Sequence, residues 1–243
     1  MKIVFWGSER GSYVTSNMLI LAGFLACQRG YRIAMLEMAE EVRGIQVCFS
    51  QKNEKYVKEY IRSLIERQLY YIAMDEWMQQ EDGKIASLIK YLECNMDMVF
   101  INLANRTDGE ARRLMHNADL TIVNLRQEQR AFDRYYASYA NMPSENFLLM
   151  MGNYYYDKGY DKEYMQMKYR IPEWQLAVIP NNAEYEMACA GKCVDKYIRK
   201  SGKAWRTVRK NQFLRDIEKA AEQLCEAVDR AEAVNRCRKS NDM

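Results

Sequence analysis

The residues best placed to do chemistry lie near the start of the chain. There Gly7-Ser8-Glu9-Arg10-Gly11-Ser12-Tyr13-Val14-Thr15-Ser16-Asn17 joins an apolar run, Lys2 to Trp6, to a helix-patterned segment, Ser16 to Arg29. In a loop of this kind glycines let successive backbone N–H groups face an anion at a helix N-terminus, while a lysine neutralises it and a Ser or Thr hydroxyl holds magnesium. The chemistry is phosphate binding. Thr15 and Ser16 supply the hydroxyls, and Arg10 supplies a guanidinium, a group that binds phosphate well. No lysine occurs between Lys2 and Lys52, however. Glu9 beside a phosphate would add a repulsion of about 4 kcal/mol at a separation of about 4 Å and an effective dielectric of about 20. Tyr13, where close backbone approach is needed, is expected to project toward the phosphate space or to force the loop open.

Two other groupings could carry function. Between Lys196 and Lys210 stand Lys196, Arg199, Lys200, Lys203, Arg206, Arg209 and Lys210 with no acidic residue among them, a run that reads either as a solvated helix face or as a patch for an anionic partner such as DNA. Tyr154, Tyr155 and Tyr156, with Tyr160 and Tyr164 nearby, suit packing or an interface, with the lining of a pocket for another anionic ligand as the other reading. The single histidine, His116, leaves triad chemistry and multi-histidine metal sites little to draw on, so no catalytic residue and no metal site are assigned. The seven cysteines form no Cys-x-x-Cys pair and read as buried thiols in a reducing cytoplasm.

The elements that must position these residues alternate along the chain. Apolar strand runs are expected at Lys2 to Trp6, Arg32 to Met38, Gln68 to Met74, Met96 to Leu103, Leu120 to Leu125, Asn146 to Met151 and Gln175 to Ile179, with helical patterns between most of them and Gly30 closing the first helix. That order predicts an α/β fold in three layers, a mostly parallel sheet of about seven strands with helices on both faces. From Leu214 onward, Leu214, Ile217, Ala221, Leu224, Val228 and Ala231 recur at spacings of three and four, which makes one amphipathic helix. It either packs on the chain's own body or pairs with a second copy. The expected organisation is a domain over residues 1–201 and a C-terminal amphipathic extension over 202–243.

The loop resembles the deviant Walker A loop of the MinD/ParA ATPases, in which a signature lysine precedes two glycines and a second lysine precedes Thr-Thr or Thr-Ser. Thr15 and Ser16 match its end and Gly11 its second glycine; Arg10 stands for the first glycine, Glu9 for the signature lysine, Tyr13 for the last glycine and Val14 for the second lysine. The resemblance runs on to about residue 200. In Leu36-Glu37-Met38-Ala39, alanine takes the place of the family's catalytic aspartate. In Met98 to Leu103, Asn102 takes the Walker B aspartate position, and Asn105 falls in the region where a proline is expected. Asn153 fills the place of an adenine-contacting asparagine, with a plain turn residue as the other reading. Ala177-Val178-Ile179-Pro180 resembles the family's Ile-Pro loop, and Ala190-Gly191-Lys192 its small-residue-Gly-Lys helix. The resemblance thus implies a degenerate nucleotide site made of Gly7, Arg10, Gly11, Ser12, Thr15, Ser16, Asn153 and Pro180, with no cofactor required and weak ATP or ADP binding left open. The Trp-Gly-Ser opening and Val-Thr-Ser-Asn end of the loop look most like TadZ/CpaE-type proteins of Flp pilus assembly.

With 243 residues and 49% hydrophobic content the chain can bury a sizeable core, and a net charge of +3 does not by itself announce nucleic acid. Met-Lys leads straight into a strand without a secretory pattern, and the longest apolar stretch, Met18 to Cys27, is short of the roughly 20 residues that span a bilayer. The expectation is a cytoplasmic homodimer without a transmembrane segment, peripheral to a membrane-bound complex, working as a pseudo-ATPase among pilus or secretion machinery proteins. The alternative is a nucleotide-dependent partitioning switch that binds DNA through the basic segment.

Overall fold

The structure, a computed structural model, describes residues 1–38, 55–58, 61–65, 68–73, 84–141, 146–205 and 211–241. In chain order the elements are β1 (Lys2–Gly7), α1 (Val14–Phe24, continued by a π turn over Leu25–Arg29), β2 (Ile33–Glu37), β3 (Lys55–Lys58), β4 (Ile61–Ile65), β5 (Leu69–Ala73), α2 (Lys84–Asn95), β6 (Met98–Asn102), α3 (Gly109–His116), β7 (Leu120–Leu125), α4 (Gln129–Ser138), β8 (Phe147–Tyr154), α5 (Lys162–Tyr169), a 3-10 turn (Glu173–Gln175), β9 (Leu176–Pro180), α6 (Ala183–Ala190), α7 (Val194–Trp205) and α8 (Gln212–Asn241). One sheet holds all nine strands in the order β3-β4-β5-β2-β6-β1-β7-β8-β9. The seven from β5 to β9 are mutually parallel and are the seven expected from the apolar runs. The sheet then continues as an antiparallel meander through β4 and β3, which the sequence pattern did not suggest.

Each parallel strand is buried on both faces, and alternate side chains feed two separate cores. Ile3 and Phe5 of β1 point into one core with α1 and α8, whereas Val4 and Trp6 point into the other with residues of α2, α3 and α4. Helix α1 is apolar all round because it is covered all round: it lies between the sheet on one side and α7 and α8 on the other. It begins at Val14, two residues earlier than its apolar pattern indicated. Its far end closes at Gly30, which takes φ 71° and donates its N–H to Leu25 O. Near that end Gly23 admits Ile198 of α7; a Cβ there would come within 2.7 Å of the isoleucine side chain.

The seam of α8 is spent within the chain. Leu214, Ile217, Ala221, Leu224, Val228 and Ala231 are all buried, and the helix packs on β9, α1 and the 3-10 turn. A helix that pairs with a second copy through this stripe is therefore ruled out as the sequence posed it: the apolar face already covers α1. Among the described residues no helix is long and apolar enough to cross a membrane.

Candidate functional site

In an open parallel sheet, ligands bind in the crevice beyond the carboxyl ends of the strands. Here those ends carry a row of polar residues in otherwise apolar strands: Glu37 closes β2, Asn102 closes β6, Asn124 lies near the end of β7 and Asn153 near the end of β8. Register aligns them, with Glu37 beside Asn102 and Asn124 beside Gly7. The β1–α1 loop sits over this row.

The centre of the row is a buried hydrogen-bonded corner. Asn102 Nδ2 donates to Thr15 Oγ1 at 2.9 Å and to Glu37 Oε1 at 2.8 Å, while Asn102 Oδ1 accepts from Ala104 N at 2.9 Å. Asn102 is fully buried and Glu37 nearly so, at 5% exposure. A buried carboxylate requires hydrogen-bonding partners, and the amide supplies one. On the other side, Asn17 Nδ2 donates to Asn124 Oδ1 at 2.8 Å, and Asn124 Nδ2 donates to Trp6 O, which ties the first turn of α1 to β7 and β1.

The loop itself is closed rather than opened. Ser12 is buried and its Oγ donates to Glu9 O at 2.6 Å, bracing the loop across its width. A Cβ on Gly7 would lie 2.8 Å from both Ser12 Cβ and Val14 Cγ2, so the loop folds tightly back on the strand end. Gly11 takes φ 79°, as only glycine does without strain. Glu9 Oε2 lies 3.3 Å from Arg134 Nη1 of α4, an ion pair in which the arginine is nearly half-exposed and the carboxylate largely covered. Ser16 Oγ is engaged by Tyr13 O. Ser8 Oγ is buried without a partner among the described residues.

Tyr13 resolves the choice posed by the sequence in a third way. It takes the left-handed conformation that a glycine would take, φ 59° and ψ 24°, and serves as N-cap of α1 without a side-chain capping bond. Its side chain does not open the loop but runs toward β8. There a Cβ on Gly152 would lie 2.7 Å from Tyr13 Cβ, and Asn153 Nδ2 donates to Tyr13 Oη at 2.7 Å. Asn153 is also left-handed, at φ 51°, and its Oδ1 accepts from Asn181 Nδ2, whose amide also reaches Glu186 of α6 at 3.1 Å. Pro180 ends β9 beside Tyr154, and Asn181 N donates to Tyr154 O. From α6, Tyr185 Oη donates to Ser16 O at 2.6 Å.

Of the sequence-derived site, the structure thus gathers Gly7, Gly11, Ser12, Thr15 and Ser16 at one strand end and places Asn153 and Pro180 along the adjoining edge. Glu37, Asn17, Asn124 and Arg134 were missed. Glu37 and Asn124 did leave a signal, a polar residue at the end of an apolar strand; Arg134 left none, because its partner lies 125 residues away. The catalytic-aspartate position, Ala39, lies outside the described residues, as do Arg206, Arg209, Lys210 and the side chain of Lys203. Lys196, Arg199 and Lys200 are exposed on α7, and Lys200 pairs with Glu184 at 2.7 Å.

The charges around this loop differ from those of the phosphate site that the resemblance implies. The loop offers no lysine, a carboxylate stands at its rim, and the amide of Asn102 donates its hydrogens to Thr15 Oγ1 and Glu37 Oε1.

No family model matches the sequence, and no curated protein matches it either. Solved structures do match in fold. A ParA family ATPase from Chlorobium tepidum superposes with a TM-score of 0.71 at 9% identity, covering 90% of this chain and 98% of that one. The cell division ATPase MinD of Pyrococcus furiosus gives 0.68 at 13% identity over 93% and 98% of the two chains. The septum site-determining protein MinD of Pyrococcus horikoshii, complexed with Mg-ADP, gives 0.66 at 12% identity over 92% and 96%. At such identities the likeness is one of fold, and the fold is that of the MinD and ParA ATPases over most of the chain.

Proposed function

We propose that this chain is a non-catalytic relative of the MinD and ParA ATPases, an interaction or localisation module that keeps their fold without their hydrolysis, in the setting of a Flp-type pilus or secretion assembly. One observation carries the non-catalytic reading. Asn102 Nδ2 bridges Thr15 Oγ1 and Glu37 Oε1, so that a neutral amide rather than a carboxylate stands at the end of β6 and uses its hydrogens on both oxygens. The placement in pilus assembly rests on the loop segment alone, Trp6-Gly7-Ser8 and Val14-Thr15-Ser16-Asn17, which looks like that of TadZ/CpaE-type proteins. Loss of both loop lysines removes the charge that would stabilise a developing phosphate anion, the kind of contribution that usually dominates catalysis. The test is turnover. Purified protein with magnesium and ATP is expected to release no phosphate above background; release that co-elutes with the protein and disappears in Thr15→Ala overturns the reading.

A further inference from the structure

The crevice beyond the strand ends is bridged by the chain's own side chain. Tyr13 starts at the helix N-terminus, where a phosphate would be expected, and ends at β8, 140 residues away in sequence, where its hydroxyl accepts from Asn153. Along the way its Cβ lies against Gly152, a position where an added Cβ would stand within 2.7 Å of Tyr13 Cβ and 2.5 Å of Asn17 Nδ2. The contact at that point leaves no gap for another molecule. Two non-glycine residues in left-handed backbone conformations, Tyr13 and Asn153, hold each other, and Asn181, just after β9, fixes Asn153 while Glu186 fixes Asn181 from α6. Left-handed conformations are costly for ordinary side chains and persist where the surroundings over-determine them.

Taken with the non-catalytic reading on which it rests, we infer that Tyr13 is an intramolecular occupant of the crevice, a tyrosine clasp that blocks the path between the helix N-terminus and the end of β8 and so excludes adenine nucleotides. The phenol lies across the strand ends, the residue 37% exposed, and Asn153 latches it there. Glycine at the same position adopts the observed φ without strain and carries no ring, so it unblocks the path while leaving the loop backbone as it is. Phenylalanine keeps the ring and loses only the latch.

Isothermal titration with ADP, with and without magnesium, separates these roles. The wild-type chain and Tyr13→Phe are expected to show no binding in the millimolar range, whereas Tyr13→Gly binds at least tenfold more tightly than either. Circular dichroism and thermal melting verify that all three are folded, and Asn153→Ala, which removes the same latch from the other side and keeps the ring, is expected to behave as Tyr13→Phe does. Wild-type binding as tight as that of Tyr13→Gly overturns the clasp, and so does a folded Tyr13→Gly that fails to bind. Neither result touches the non-catalytic reading, which fails only if the wild-type chain turns over ATP.

Discussion

At the scale of single residues, the amide of Asn102 decides the chemistry of the corner. Its two hydrogens satisfy Thr15 and the buried Glu37 together, whereas an aspartate would place a second carboxylate in a site sealed from water. Asn102→Asp removes two donors and adds a like charge. It is expected to destabilise the fold by about 2–4 kcal/mol, measured by urea unfolding, with the loss shrinking as the pH falls and one carboxyl takes a proton. Asp108 behaves in the opposite sense. It caps α3 by accepting from the N–H groups of Glu110 and Ala111, and the Arg106 side chain bonded to it holds its carboxyl down to about 2. Arg106 in turn donates to Met38 O, so the pair ties the residue that follows β2 to the start of α3. Because the folded-state value is depressed, this contribution is present above the ordinary carboxylate range and is lost as the pH falls toward 2. Asp108 is partly exposed, which keeps the effect below about 1 kcal/mol. Asp108→Asn, which can still cap, is expected to lower the melting temperature slightly at pH 7 and to melt together with the wild type near pH 2.

At the scale of elements, α1 is the part that everything else positions. Its N-terminus carries the loop, and its apolar flanks are covered by the sheet, α7 and α8. Leu224 of α8 is fully buried in that contact, so Leu224→Ala is expected to cost about 2–5 kcal/mol in denaturant unfolding. The seven parallel strands were legible in the sequence because strands buried on both faces read as continuous apolar runs. Lys55–Lys58 and Ile61–Ile65 gave no such signal: KYVK and IRSLI mix charge with apolar residues, as suits strands at or near an edge. The site was legible to the same extent and for the same reason. Loop residues adjacent in sequence could be read together, and the lost lysines were visible directly. The partners that give each loop residue its meaning were not, because Thr15 meets Asn102 across 87 residues, Tyr13 meets Asn153 across 140 and Glu9 meets Arg134 across 125. Pattern along a chain carries periodicity, whereas these contacts depend on register between strands.

At the scale of the whole molecule, these same contacts bear on assembly. The family resemblance implies a homodimer and a signature lysine in the loop. Here that position is Glu9, and its carboxylate is engaged within the chain by Arg134. The apolar stripe of α8 offers no substitute surface, since it is buried against α1 and β9. What remains exposed are scattered large side chains on the α/β body, among them Tyr136, Tyr164 and Met167 near α4 and α5, and Met187 on α6. Burial of such groups contributes about 25 cal/mol per Å² whether or not nucleotide is present. Self-association, where it occurs, should therefore be driven by the body and be indifferent to nucleotide. Light scattering of the full chain is expected to give one mass with and without magnesium and ATP, and the same mass for Glu9→Lys without nucleotide, because restoring the charge alone provides no phosphate for it to reach. A monomer that becomes a dimer only when ATP is added would show that the crevice admits nucleotide and that the ion pair between Glu9 and Arg134 gives way to it.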